Sequence, residues 1–561
     1  MKKYLVMIGI VVLLLAAGAA AYFLARPGLA PAPAAQPVAP VTGMPQGTDG
    51  YPWWNDTVFY EIFVRSFYDS DGDGIGDFNG ITAKLDYLND GNPETTSDLG
   101  VTGIWLMPIH PSPSYHGYDV TDYLAVNPEY GTLDDFKNMV NEAHRRGIRV
   151  IIDLVLNHTS REHPWFVASR DPASEYRDYY IWVDENPGYN GPWGQKVWIA
   201  HSTGYYYALF WDGMPDLNYN NPEVTQEMYD IVSFWLTETG IDGFRLDAAR
   251  HLIEEGALQE NTASTHAWYE QFRTMYKTVN PQAVTVGEVW DDLNAIKAYV
   301  EGDELDLAFQ FSLAEAFVAS ANEGNAGTAL GELRLTYKLL PPLQYAPFLT
   351  NHDMNRVMSQ LGGDVNKAKV AASMLLSAPG VPFLYYGEEV GLMGMKPDED
   401  IRRPMQWSAE KNAGFSTTFP WRSPGKGWEV NNVALETDDP TSLLSHYRTL
   451  IHIRNDHAAL RVGQTWTLRA DTPALYPILR ASAEESVLVV VNLSDKPISG
   501  YTLSLEESGM APGAYRVFPI LGAADELAPL TVNDKGGFSA YAPLPEIPAY
   551  GTLILQLQAN R

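Results

Sequence analysis

Four short polar motifs close apolar, strand-like runs in this chain: residues 153–158 (DLVLNH), 243–251 (GFRLDAARH), 287–290 (GEVW) and 348–353 (FLTNHD). Three of them carry a carboxylate of interest: Asp247, Glu288 and Asp353. Carboxylates gathered from different strand ends suit cleavage of a glycosidic bond, where one attacks the anomeric carbon and another, protonated, releases the leaving oxygen. Asp247 lies two residues after Arg245, and strand alternation puts i and i+2 on one face, so the guanidinium can keep that carboxylate ionised and aimed. Alone, the same pair reads equally well as an ordinary ion pair at a strand end. Glu288 is flanked by Val289 and Trp290. Apolar neighbours and nearby carboxylates raise a carboxyl pKa, which suits a proton donor.

Such residues need a scaffold that brings strand ends together. Eight β-rich apolar runs are present, at 58–67, 103–109, 148–157, 243–247, 283–289, 307–313, 347–351 and 381–386. Alternating with helical segments, they predict an α/β fold, a (β/α)₈ barrel, whose chemistry sits where the strands end. The intervening helices carry punctuation: Thr132 with Asp135 as a capping box, Gly147 as a stop, and Asn221 before Pro222 as a start closed by Gly240. Residues 159–221, rich in Trp, Tyr, Gly and Pro, are far too long for a structureless loop. After 460 the pattern becomes short alternating strands, predicting a C-terminal antiparallel β-sandwich over 461–561. The barrel is assigned 51–158 and 222–460, and no internal repeat is present.

The four motifs, in this order, resemble the signature regions of the α-amylase family of glycoside hydrolases, and the resemblance runs over residues 51–561. It implies Asp247 as nucleophile, Glu288 as acid/base and Asp353 as the third carboxylate, contacting sugar hydroxyls. It implies that His158 and His352 hydrogen-bond the sugar before the cleaved bond, and that Tyr118, in GYDVTDY, stacks on it. Residues 159–221 match the small domain B that walls one side of the cleft. Residues 214–218 (MPDLN) resemble a further signature, intermediate between those of oligosaccharide-acting and polymer-debranching relatives.

Residues 69–77 (DSDGDGIGD) place Asp69, Asp71, Asp73 and Asp77 among glycines, a density of hard oxygen ligands that fits Ca²⁺. A solvated acidic turn would look similar. The loop is not an EF-hand, since Gly80 stands where the bidentate Glu belongs. The resemblance adds the Ile75 carbonyl as a ligand, and relatives commonly hold a second calcium that uses the residue equivalent to Asn157.

The expected activity is retaining, endo-acting hydrolysis of α-1,4 bonds in starch-like α-glucans. The family also contains exo-acting α-glucosidases and glucan transferases. Exo-acting relatives often carry an Asp three residues before the stacking tyrosine; here Tyr115 stands there, offering no carboxylate but a stacking face as a platform over which a continuing glucan chain passes. A non-catalytic amylase-like ectodomain is disfavoured, because Arg245 and all three carboxylates are retained.

The net charge of -31 argues against nucleic acid and anionic membrane surfaces as partners, whereas neutral glucan is not repelled. With no cysteine there is no disulfide, thiolate metal site or lipoprotein anchor. Lys2 and Lys3 precede an apolar run over residues 4–24, about the length that spans a bilayer. Export is therefore expected. The Pro/Ala-rich spacer that follows, within a linker at 26–50, favours an uncleaved membrane anchor over a cleaved signal peptide, so the enzyme is expected to be extracellular or at the cell surface, and a monomer.

Overall fold

The structure, a computed structural model, describes residues 43–522 and 527–560. The apolar run at 4–24 and the first part of the spacer lie outside the described residues. No described helix is long and apolar enough to cross a membrane. The linker ends earlier than its composition suggests. Pro45 is buried, and Gly47 and Thr48 donate to Asp56 at 3.0 Å, so residues 43–50 already belong to the folded body.

Eight parallel strands form the barrel: β1 (Phe59–Ile62), β2 (Gly103–Leu106), β3 (Arg149–Leu154), β4 (Gly243–Leu246), β5 (Val284–Gly287), β6 (Leu307–Phe309), β7 (Tyr345–Ala346) and β8 (Phe383–Tyr385). They are ordered β7-β6-β5-β4-β3-β2-β1-β8. The seam between β7 and β8 is bridged by Val381 N–H to the Tyr345 carbonyl (3.0 Å) and Phe383 N–H to the Pro347 carbonyl (2.9 Å). The seventh strand lies just before the run 347–351 expected from the sequence. Pro347 has no N–H to give a ladder, and the residues after it leave the sheet as the loop that carries Asn351 to Asp353. The first and sixth runs also shorten, because a short turn of helix begins at Val64 and the helix Phe311–Glu323 begins at Phe311.

The helices obey their punctuation. Thr132 and Asp135 form a reciprocal capping box on Leu133–Arg145, and Asn221 caps Pro222–Phe234, which continues into a π-helical turn, Trp235–Thr239, that stops at left-handed Gly240. Between β3 and β4, the strands Trp182–Val183, Trp198–His201 and Gly204–Tyr207 make a small antiparallel sheet. The C-terminal part holds a six-stranded antiparallel sheet and a three-stranded one. Along Ser486–Asn492, Leu488 and Val490 face the core between these sheets, while Val487, Val489 and Val491 join the main core. Alternation thus buries both faces of the strand.

Candidate active site

Alternation along the barrel strands also builds the site. Phe59, Ile151, Val284, Val286, Phe309 and Phe383 point inward and fill the barrel with a dry aromatic and aliphatic plug. Two residues further along the same faces come Glu61, Asp153 and Glu288, with Arg245 and Asp247 following Gly243. Gly243 has φ 153°, and a Cβ there would lie 2.0 Å from the Val284 carbonyl, so only glycine lets β4 start against β5.

Arg245 is the hub. Its Nη1 donates to Asp247 Oδ1 (2.7 Å) and Asp153 Oδ1 (2.8 Å), and its Nη2 donates to Glu288 Oε2 (2.6 Å). The side chain is 1 % exposed. One guanidinium therefore serves three carboxylates. Ala248, in the left-handed region at φ 47°, turns its N–H onto the same Glu288 oxygen at 3.2 Å. A non-glycine residue in that region is strained, which is characteristic of functional sites.

A second cationic group holds Asp353. Arg402 donates to Asp353 Oδ1 at 2.8 Å and to the His352 carbonyl at 3.0 Å, while His352 Nε2 lies 3.3 Å from Asp353 Oδ2. His352 Nδ1 lies 2.6 Å from Glu61 Oε1, and Tyr118 Oη sits 2.6 Å from His352 Nε2 and 3.0 Å from Asp153 Oδ2. His158 is buried, with Nδ1 3.0 Å from Asn157 Oδ1.

The carboxyls are held apart in acidity. Burial raises Glu288, with the Asp247 and Asp353 charges adding to it and Arg245 opposing. Burial likewise raises Asp247 against Arg245. Asp353 goes the other way: despite burial, His352 and Arg402 hold it well below the usual carboxylate range. Burial pushes the His158 imidazole down to about 4.

These groups open onto a pocket of about 760 Å³ lined by Tyr118, His158, Asp247, Glu288, Asp353 and Arg402. Trp193, Phe210, Trp211, Met214 and Trp290 form its apolar side, and Trp290 stacks on Phe311 at 4.3 Å. Enclosing apolar walls with a few convergent charges are the usual form of a sugar-sized site. The catalytic-domain model of the α-amylase family matches residues 61–463.

The chain belongs to the α-amylase family. It is 42 % identical over 451 residues to "Alpha-amylase 3" of Dictyoglomus thermophilum, covering 79 % of this chain and 86 % of that protein. It is 36 % identical over 507 residues to "Trehalose synthase/amylase TreS" of Mycobacterium tuberculosis, covering 79 % and 82 %. The crystal structure of an α-amylase from H. orenii superposes with a TM-score of 0.78 at 43 % identity, covering 89 % of this chain and 99 % of that one. These relationships make the protein an enzyme of glycoside hydrolase type.

Of the residues expected at the pocket from the sequence, Tyr118, His158, Asp247, Glu288 and Asp353 line it, while Arg245 and His352 are buried beneath that lining. Tyr115 does not line it. Its ring packs on Trp421 with centroids 5.3 Å apart, and His116 takes the place on the pocket wall. The expectation that Tyr115 offers a sugar platform is therefore corrected: Trp421 already covers that face. Three partners had gone unassigned. Glu61 and Asp153 are found by extending inward alternation to β1 and β3, whereas Arg402 comes from an irregular segment after β8 and has no periodic signal.

In the acidic loop, oxygens of Asp69, Asp71 and Asp77 lie within 4.8 Å of one another. The Asp69 oxygens accept from Gly72 and Gly74 N–H, and Asp77 caps the helix Phe78–Leu88 through Gly80 N–H. Asp73 stands outside that trio, its Oδ1 engaged by Ile75 N–H at 2.8 Å. Burial and repulsion from Asp71, Asp69 and Asp77 raise its pKa, a strain that a cation relieves. The donor set fits a hard cation. A second acidic pair sits beside Asn157. Asp216 and Glu254 are both raised by burial, Glu254 also by Asp216, and each keeps one oxygen without a hydrogen-bond partner among the described residues. Asn157 donates to the His251 carbonyl at 2.7 Å.

Proposed function

We propose that the protein is a retaining, endo-acting α-amylase that hydrolyses α-1,4-glucosidic bonds in starch and maltooligosaccharides. The observation that carries this reading is the Asp247–Arg245–Glu288 arrangement, in which two nitrogens of one guanidinium hold the two carboxyls together at the pocket. Retaining enzymes need that proximity, about 5–5.5 Å between carboxyl groups.

In this reading the Asp247 carboxylate attacks the anomeric carbon while Glu288 gives its proton to the glycosidic oxygen, so the C–O bond breaks with no free charge left on the leaving sugar. Glu288, now a base, takes a proton from water, whose oxygen displaces Asp247 with a second inversion. Asp353, kept ionised by His352 and Arg402, accepts hydrogen bonds from the sugar hydroxyls. Tyr118 stacks on the ring and His158 hydrogen-bonds it, while His352 lies behind Tyr118, its Nε2 2.6 Å from the tyrosine hydroxyl. Calcium would be held by Asp69, Asp71 and Asp77 with Asp73 and the Ile75 carbonyl, and would supply the positive charge that lets this loop stay closed. Export and anchoring through residues 4–24 belong to the same reading, tested by fractionating the producing cells.

Endo action rests on the absence of a carboxylate at position 115. One observation favours an exo-acting or transferring enzyme: Asp398 lines the pocket 3.4 Å from Arg402 and supplies a polar wall from another segment. Soluble starch separates the two. Endo cleavage makes iodine staining fall much faster than reducing sugar accumulates, with mixed oligosaccharides appearing early. Glucose as sole early product with staining preserved would replace this reading by the α-glucosidase one, and a β-anomer as first product would refute retention.

A further inference from the structure

Glu61 lies on β1, outside every motif that carries chemistry, and is 2 % exposed. Both ring nitrogens of His352 face carboxylates: Nδ1 lies 2.6 Å from Glu61 Oε1 and Nε2 lies 3.3 Å from Asp353 Oδ2. Carboxylates in this state only accept, so the geometry calls for a proton on each nitrogen. The third contact agrees. Tyr118 Oη donates to Asp153 Oδ2 at 3.0 Å, which leaves its lone pair for a proton on His352 Nε2, 2.6 Å away. A directed chain thus runs from Glu61 through His352 and Tyr118 to Asp153, with a branch to Asp353. Trp105 packs its ring against the imidazole at a centroid distance of 5.6 Å and closes it from solvent.

We propose that Glu61 is a positioning residue for sugar hydrolysis: it holds His352 doubly protonated and oriented, and through it fixes the Tyr118 ring and the Asp353 carboxylate against the sugar. The proposal rests on the hydrolytic reading above. The charged groups around His352 are Glu61 on β1, Asp153 on β3, Arg245 and Asp247 on β4, the adjacent Asp353, and Arg402, which bonds the His352 carbonyl. Tyr118 is the remaining titratable neighbour. Against burial, Asp353 and Glu61 raise His352 to about 9. The sign follows: removing the Glu61 charge lowers that value, so the required proton is lost at lower pH and the alkaline limb of activity moves down.

Glu61→Gln tests this, because the amide oxygen still accepts from Nδ1 while the charge is gone. An α-maltosyl fluoride is the substrate, since fluoride leaves with little help from an acid and the alkaline limb then does not report Glu288. Expected is a loss in kcat/KM of about threefold at pH 6 that grows to about thirtyfold or more at pH 8.5, as each pH unit above the pKa of a required proton costs about tenfold. A limb that superimposes on the wild type, or a loss of equal size at every pH, overturns the proposal. Should the variant not fold, histidine-labelled wild type decides: an imidazolium ¹⁵N signal persisting at pH 8 and missing from His352→Gln is expected, and its absence overturns the proposal. Wild type inactive on the fluoride would instead overturn the hydrolytic reading, and the role of Glu61 with it.

Discussion

Replacing Arg245 by methionine keeps the length of the side chain and removes the one cation shared by Asp153, Asp247 and Glu288. Stripping one partner from a buried ion cluster costs about 3–5 kcal/mol, because the stranded charges are not rehydrated. Unfolding entropy scales with chain length, so for roughly 500 folded residues each kcal/mol moves the melting temperature by about 1 °C. The expected drop at pH 8 is therefore roughly 3–5 °C. The pH dependence is the sharper test. Without the guanidinium the three carboxyls have folded-state pKa values above their unfolded values of about 4, so the folded variant binds more protons than the unfolded chain. Stability then falls as pH rises through the raised pKa values and recovers toward pH 5. Melting curves of wild type and Arg245→Met from pH 5 to 8.5 measure this, and the gap should narrow by about half at the acid end. A gap that is constant across the range would refute the shared-cation argument, and one below about 1 °C would show that the cluster is not held by Arg245.

Asp247→Asn and Glu288→Gln should each lower kcat by about three orders of magnitude or more with an unchanged melting temperature, since each removes a group used in bond making or breaking; a variant keeping a tenth of the activity would cancel the role assigned to it. Chelation of the wild type, or Asp71→Ala, should lower the melting temperature, because the crowded carboxylates of the 69–77 loop repel without a cation; no bound calcium by metal analysis and no response to chelator would remove the site. Arg480 is buried with no carboxylate partner among the described residues and donates to the Ser377 carbonyl (2.7 Å) and the Gly463 carbonyl (3.2 Å), tying a strand of the C-terminal sheet to the end of a barrel helix. Arg480→Met should cost about 2–4 kcal/mol through the stranded carbonyls and leave kcat on starch unchanged; a lowered kcat at temperatures where the variant is fully folded would contradict that purely structural assignment.

Residues that obey a period were legible, and those that do not were not. Arg245 and Asp247 share a face because a strand repeats every two residues, and the capping box at Thr132 and Asp135 announces its helix through two complementary side chains. The same rule, carried to β1 and β3, would have placed Glu61 and Asp153 beside them. Arg402 follows a single short turn of helix, Asp398–Ile401, in a segment with no repeating pattern, so only tertiary contacts bring it to Asp353. Tyr115 shows the opposite failure. Its type suggested a sugar platform, but the ring's free face was taken by Trp421, more than 300 positions away in sequence.

The charge pattern around the pocket narrows which carboxyls are able to carry a proton. Glu61, Asp153, Asp247, Glu288 and Asp353 outnumber the cations Arg245, Arg402 and His352, so the cluster is relieved by protonating one acid. Asp353 is the least able to take it, engaged by Arg402 on one oxygen and His352 on the other. Asp153 accepts from Arg245 on one oxygen and Tyr118 on the other. Glu288 differs from both. Arg245 and the Ala248 N–H converge on the same oxygen, Oε2, and Oε1 has no partner among the described residues. A proton on Oε1 costs no existing hydrogen bond and sits on the oxygen free to face a ligand in the pocket. On the proposed reading, then, Arg245 does two things with one planar group: it keeps Asp247 ionised and orients Glu288 without taking the oxygen that must donate.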